Sequence, residues 1–138
     1  MSKIHEGGCA CGAIRYEAKD EPVAEVHCQC KHCQARSGTG HSSYAVFAGP
    51  DAVTIQGEPK IWSVTGDSGY EKHHAFCANC GTPIHVTFAG NPTITAIHAG
   101  SLDRPEAFKP GFVTYGSRAQ PWDTLDPTLR VFDKALEA

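Results

Sequence analysis

The sequence predicts an all-β fold, a single domain of many short strands with little helix. Short runs with strand character recur at regular intervals through most of the chain, and Gly/Pro clusters separate them. A chain of 138 residues holds one domain with a real core but not comfortably two, so residues 1–138 are read as one unit. All seven cysteines fall in three tight clusters, which leaves none as buried filler.

Gly7-Gly8 reads as a flexible approach to the first cysteine pair, Cys9 and Cys11. Residues 13–18 alternate as a strand, Asp20-Glu21-Pro22 is a turn, and residues 23–26 lead a second strand into the central cluster, Cys28-Gln29-Cys30-Lys31-His32-Cys33. The polar run 34–42 contains Gly38 and Gly40 and reads as a loop, with room for one helical turn at its start. Residues 43–48 form a third strand, closed by Gly49-Pro50-Asp51. Further strands are expected over 52–55, 60–64, 70–76, 83–88 and 93–99, punctuated by Gly57-Glu58-Pro59, Gly66-Asp67-Ser68-Gly69 and Ala89-Gly90-Asn91-Pro92. The pattern weakens over 100–121. Residues 126–138 read as a short terminal helix, with Asp126 as N-cap and Pro127 at the first helical position. Trp62, Trp122 and the phenylalanines are assigned to the core.

Composition narrows the function classes. Hydrophobic residues make up 41% and charged residues 20%, the balance of a folded globular chain. The net charge is −3 with no Lys/Arg cluster, which argues against nucleic acid as a partner. No apolar run reaches the length of a membrane span, and the N-terminus has no apolar signal region, so the expectation is a cytoplasmic protein with no membrane partner. Thiols stay reduced in that compartment, and an odd cysteine count fits a disulfide framework poorly, so metal or catalysis comes first.

A Cys-x-x-Cys knuckle aims two sulfurs at one point, and Cys-x-Cys does so from an extended turn; tetrahedral zinc accepts such thiolates. Seven thiols divide into a closed four-thiolate site, the structural kind, and an open three-ligand site, the catalytic kind. Spacing leaves the partition open. Cys9 and Cys11 can join Cys77 and Cys80, leaving Cys28, Cys30 and Cys33 together, or they can pair with Cys30 and Cys33. The trio also admits a closed structural reading, with His27, His32 or His41 as fourth ligand. A redox Cys-x-x-Cys is weaker, because that motif belongs to an α/β pattern this chain lacks. The eight histidines are scattered, and each is read as a surface or satisfied residue. His73 and His74 lie on an expected strand and point to opposite faces, so at most one faces any site.

The order Gly8-Cys9-Ala10-Cys11-Gly12, then Cys28-Gln29-Cys30-Lys31-His32-Cys33 with Ser37-Gly38, then Phe76-Cys77-Ala78-Asn79-Cys80-Gly81-Thr82, Ala99-Gly100-Ser101-Leu102-Asp103, Arg118 and Pro121-Trp122 resembles the glutathione-dependent formaldehyde-activating enzyme family, also called the GFA or CENP-V/GFA family. The resemblance runs from about Gly7 to Trp122. It implies a β-tent of the Mss4-like kind with two zinc sites: a structural zinc on Cys9, Cys11, Cys77 and Cys80, and a labile catalytic zinc on Cys28, Cys30 and Cys33. It also implies carbon–sulfur lyase chemistry on a thiol such as glutathione and a small aldehyde, as in an S-(hydroxymethyl)glutathione synthase. Gln29 stands where family members often carry His. Lys31, Arg36, Lys72 and Arg118 are the candidates to meet glutathione carboxylates, the alternative for each being a solvated surface charge. The competing function is a non-catalytic zinc module that binds a partner or carries a thiol.

Overall fold

The computed structural model describes residues 3–135. Two sheets carry the fold. The smaller has three strands in the order β1 (Ile4–Gly8), β2 (Arg15–Lys19), β5 (Val53–Gln56), all antiparallel. The larger joins β3 (Ala24–Cys28), β4 (Ser42–Ala48), β6 (Lys60–Thr65), β7 (Glu71–Phe76), β8 (Pro83–Phe88), β9 (Ile94–His98), β10 (Phe112–Thr114) and β11 (Arg130–Val131) in the order β11-β10-β3-β4-β9-β8-β7-β6. Pairing is antiparallel except at β10, which runs parallel to both β3 and β11. One α-helix, α1 (Lys31–Ser37), follows β3. The fold is mostly β, as the sequence predicts.

Alternation along the strands sorts side chains into two hydrophobic clusters. Ala45 and Phe47 of β4 and Ile97 of β9 face the small sheet, where they meet Tyr16 and Ala18 of β2. Tyr44 and Val46 of β4 and Ala96 of β9 point the other way and join Val26 and Val86. A period of two places successive residues on opposite faces, so one strand feeds both clusters. Phe47, Ile84 and Ile97 are the largest fully buried apolar side chains of the first cluster.

Several expectations are corrected. Gly7-Gly8 is not a flexible approach but the end of β1, in register with Tyr16 and Arg15. A Cβ at Gly7 would fall on the Tyr16 ring and the Ser101 carbonyl, so close backbone approach demands glycine there. The helix begins at Lys31 and contains Cys33, rather than starting after it. Cys30 caps it by accepting from the Cys33 N–H at 3.3 Å, and Gly38, at φ 76°, ends it. β10 lies in the weak region and was not foreseen. A three-residue strand carries too little pattern to read, and its pairing with β3 supplies the order.

The expected terminal helix is absent over 126–135. The Asp126 carboxylate accepts from the Thr128 N–H at 2.9 Å, so Asp-Pro starts a turn that delivers the chain to β11; residues 136–138 of that expectation lie outside the described residues. The tryptophans are not core. Trp62 is 41% exposed on β6, an edge strand, and Trp122 is 65% exposed in a loop. Of the phenylalanines, Phe47 alone is fully buried.

Gly7→Ala is expected to destabilise the protein by about 1–3 kcal/mol through overpacking, read as a lowered Tm. Gly100→Ala, whose Cβ meets nothing within 4 Å, is the matched control and should shift Tm little.

Candidate metal centres and the cavity beside the cysteine trio

Two hairpin turns bring four sulfurs together. Cys9 and Cys11 sit in the turn from β1 to β2, and Cys77 and Cys80 in the turn from β7 to β8. The turns are built alike. The Cys9 N–H donates to the Ile14 carbonyl, the Cys77 N–H donates to the Thr82 carbonyl, and Gly12 and Gly81 follow the second cysteines at φ +83° and +81°. The Cys9 and Cys11 sulfurs lie 3.6 Å apart, and those of Cys11 and Cys77 3.8 Å apart. Sulfurs at about 2.3 Å from a tetrahedral zinc are separated by about 3.8 Å, so this donor set fits the metal. Ile14 donates its N–H to Cys9 Sγ at 3.2 Å, and the Asn79 side-chain amide donates to Cys11 Sγ at 3.2 Å. The Thr82 hydroxyl, 3.1 Å from Cys80 Sγ, does most to draw that thiol down to about 5.

The second group is Cys28, Cys30 and Cys33, whose sulfurs lie within 4.8 Å of one another. Cys28 ends β3, Cys30 caps α1, and Cys33 lies in the helix's first turn. The Tyr44 hydroxyl stands 3.1 Å from Cys33 Sγ. Hydrogen bonds from the Cys28 and Cys33 thiols push the Cys30 thiol far down, while the same contacts push Cys28 and Cys33 up. Crowding therefore favours one shared negative charge among three thiols; a dication is what would let all three ionise. No histidine joins this group among the described residues. His27 pairs with the Ser43 hydroxyl at 2.8 Å, His32 accepts from Lys72 at 3.2 Å, and His41 meets Asp123 at 2.9 Å. All seven cysteines are free of disulfides.

The trio lines a cavity of about 610 Å³. Its wall is the second hydrophobic cluster, with Val26, Val46, Val86, Phe88, Ala96 and Phe112 turned toward the space. Of the four basic candidates, Lys72 lines it. Arg36 lies over the Phe76 ring at 4.7 Å, Arg118 pairs with Asp67 at 3.1 Å, and Lys31 is exposed on α1. Tyr115, also in the lining, holds a left-handed backbone at φ 57°, a strained conformation for a bulky residue.

Residues 4–118, most of the chain, match the family described as Glutathione-dependent formaldehyde-activating enzyme. The chain belongs to this family. A crystal structure of a Rhodobacter sphaeroides protein, a structural-genomics target, is similar in fold, with a TM-score of 0.57 and 20% identity over 71% of this chain and 87% of that one. Within this GFA chain the structure brings together the same seven cysteines that the sequence singled out, as a four and a three. No helix among the described residues is long and apolar enough to cross a membrane.

Sequence reasoning missed two features of this GFA site. His74 is 1% exposed, lines the cavity, and has no hydrogen-bond partner at either ring nitrogen, so it is neither surface nor satisfied. The opposed faces of His73 and His74 were the available signal; His73 bonds the Ser63 hydroxyl at 2.7 Å instead. The second feature is a clasp behind the trio. The Gln29 side chain donates to Asp123 at 3.0 Å, and the Gln34 side chain donates to the carbonyls of Gln29 and Arg118 at 2.8 and 2.9 Å. Asp123 and Arg118 lie more than eighty residues from the glutamines they meet, which no local pattern reveals.

Burial holds His74 down at about 4 and His98 at about 3, against 6.5 for an ordinary imidazole. The unfolded chain takes up these protons at higher pH than the folded one. Stability that is full above about pH 6.5 is therefore lost as the pH falls through that window. His74→Phe is expected to lose less stability than the wild type between about pH 7 and about pH 4.5, measured by denaturant unfolding with metal in excess. An equal loss in both proteins would place the acid sensitivity elsewhere.

Proposed function

We propose that this chain is a zinc-dependent carbon–sulfur lyase in which Cys28, Cys30 and Cys33 hold a labile metal with one position open to a substrate thiol. Cys9, Cys11, Cys77 and Cys80 hold a structural zinc. The observation that carries the reading is a three-thiol group with no fourth protein donor among the described residues, set in the wall of a cavity large enough for a ligand. The family name pairs glutathione with formaldehyde, and that thiol-plus-aldehyde chemistry is what the reading brings to this chain. A cytoplasmic, reducing compartment suits free thiols.

Bound zinc supplies one thing here: a Lewis acid that keeps an incoming thiol deprotonated near neutral pH. The residues do the rest. Cys28, Cys30 and Cys33 fix the point at which the substrate sulfur is held, and the apolar wall keeps water from competing for the aldehyde. The substrate sulfur then adds to the carbonyl carbon. A carbon–sulfur bond forms, the carbonyl π pair moves to oxygen, and that oxygen takes up a proton equivalent to the one the thiol released. The Tyr44 hydroxyl, 3.1 Å from Cys33 Sγ, steadies that ligand.

Cys77→Ser is expected to give insoluble or unfolded protein, because a structural zinc contributes on the order of 10 kcal/mol of folding free energy. Wild-type melting behaviour in that variant would remove the structural assignment. Cys30→Ser is expected to keep the fold while losing the second metal equivalent and thiol binding. The direct test follows the thiolate-to-cobalt absorbance of cobalt-substituted protein during a thiol titration. Bands that move with a small thiol support the open site; bands that no thiol moves return the trio to a closed structural site and favour the non-catalytic zinc module.

A further inference from the structure

We propose that the thiol taken by this site carries a bulky apolar group, such as an aryl or branched alkyl chain, and that glutathione is a poor occupant. The proposal rests on the reading of Cys28, Cys30 and Cys33 as an open thiol site, and it names the substrate class of that site.

The cavity has a predominantly apolar wall, a poor match for a polar adduct. Its volume of about 610 Å³ is in the range of drug-sized ligand pockets, and formaldehyde would leave nearly all of it to the thiol's own substituent. Val46, Phe88 and Phe112 are half-buried members of the same hydrophobic cluster that contains Cys30 and Cys33. The second face of the large sheet thus has an apolar surface with one side packed and the other turned to the cavity. An apolar substituent attached to a sulfur held at the trio reaches that wall without leaving the metal position. Covering it removes apolar area from water on both partners, which is where the affinity comes from.

Charge argues the same way. Glutathione brings two carboxylates and one ammonium group. Among the described residues, the cavity offers the cation of Lys72 together with the acidic side chains of Asp67 and Glu71. Lys72 already donates to His32, and Asp67 holds Arg118 at 3.1 Å. Arg36 is stacked on Phe76 and turns its charge into the cation–π contact. Among the described residues, no pair of free guanidinium or ammonium groups lines the cavity to receive two carboxylates, and two acidic groups line it. The neutral polar residues in the lining include Tyr44, Ser68, Asn91, Thr114 and Tyr115. These suit the carbonyl or hydroxyl oxygen of an aldehyde and its adduct rather than a carboxylate.

The test is a comparison of thiols on the cobalt-substituted protein, followed by visible absorbance and corrected for each thiol's own ionisation. Phenylmethanethiol, isopentyl thiol, mercaptoethanol and glutathione are titrated in parallel. The two apolar thiols are expected to bind at least about 30-fold more tightly than glutathione, which corresponds to about 2 kcal/mol. Val46→Asp is expected to erase that preference while mercaptoethanol still moves the bands; Phe88→Ala should reduce it and serves if Val46→Asp fails to fold. Glutathione binding as tightly as the apolar thiols overturns this inference and leaves the open thiol site standing. No band movement with any of the four thiols overturns the open-site reading, and this inference falls with it.

Discussion

Two hairpin turns, one from each sheet, meet at the sulfurs of Cys9, Cys11, Cys77 and Cys80, and the placement of the sheets depends on that meeting. The small sheet covers only one face of the large one, through Tyr16 and Ala18 against Ala45, Phe47 and Ile97. Packing of that kind is non-directional and leaves the angle between sheets soft. Sulfurs held at the edge length of one tetrahedron are directional. A metal bound by all four would tie residue 9 to residue 80 and turn two separate hairpins into one unit. The Ala10 N–H donating to the Thr82 hydroxyl at 3.1 Å closes the same junction through protein atoms.

With one face of the large sheet covered, the opposite face is left to line the cavity. Its strands alternate, so every residue buried under the small sheet has a neighbour turned outward. Those outward residues form the second hydrophobic cluster, and helix α1 covers only the end of it that carries the cysteine trio. The rest is the cavity wall. The cysteine trio and the apolar surface are therefore one feature, produced by a sheet with a partner on one side and a cavity on the other.

The trio packs into the second hydrophobic cluster and is backed by polar groups. Gln29, Gln34, His41 and Asp123 form a chain of hydrogen bonds that fastens the loop after β10 to the turn between β3 and α1. Cys28 and Cys33 face the cavity from that turn, so the clasp sets the spacing of the sulfurs without touching the ligand space. It also gives Gln29, 4% exposed, a hydrogen-bond partner in Asp123.

What the residues alone determined was the strand content of the middle of the chain and the identity of the cysteine clusters. Residues 43–48, 60–64 and 83–88 become β4, β6 and β8 because alternation and Gly/Pro turns act over a few residues, and such signals survive in one dimension. The family order of the motifs likewise runs along the chain. Tertiary structure decided what depends on distant partners. β1 exists because Gly7 and Gly8 let the backbone lie against Tyr16 and Arg15, and β10 because β3 offers it a parallel edge. The Asp126-Pro127 turn became a strand entry because β10 was there to pair with β11. The cavity, the unpartnered His74 and the Gln29–Asp123 contact belong to the same class. Each joins elements far apart in sequence, and their chemistry appears only once the sheet has brought them within a few ångströms.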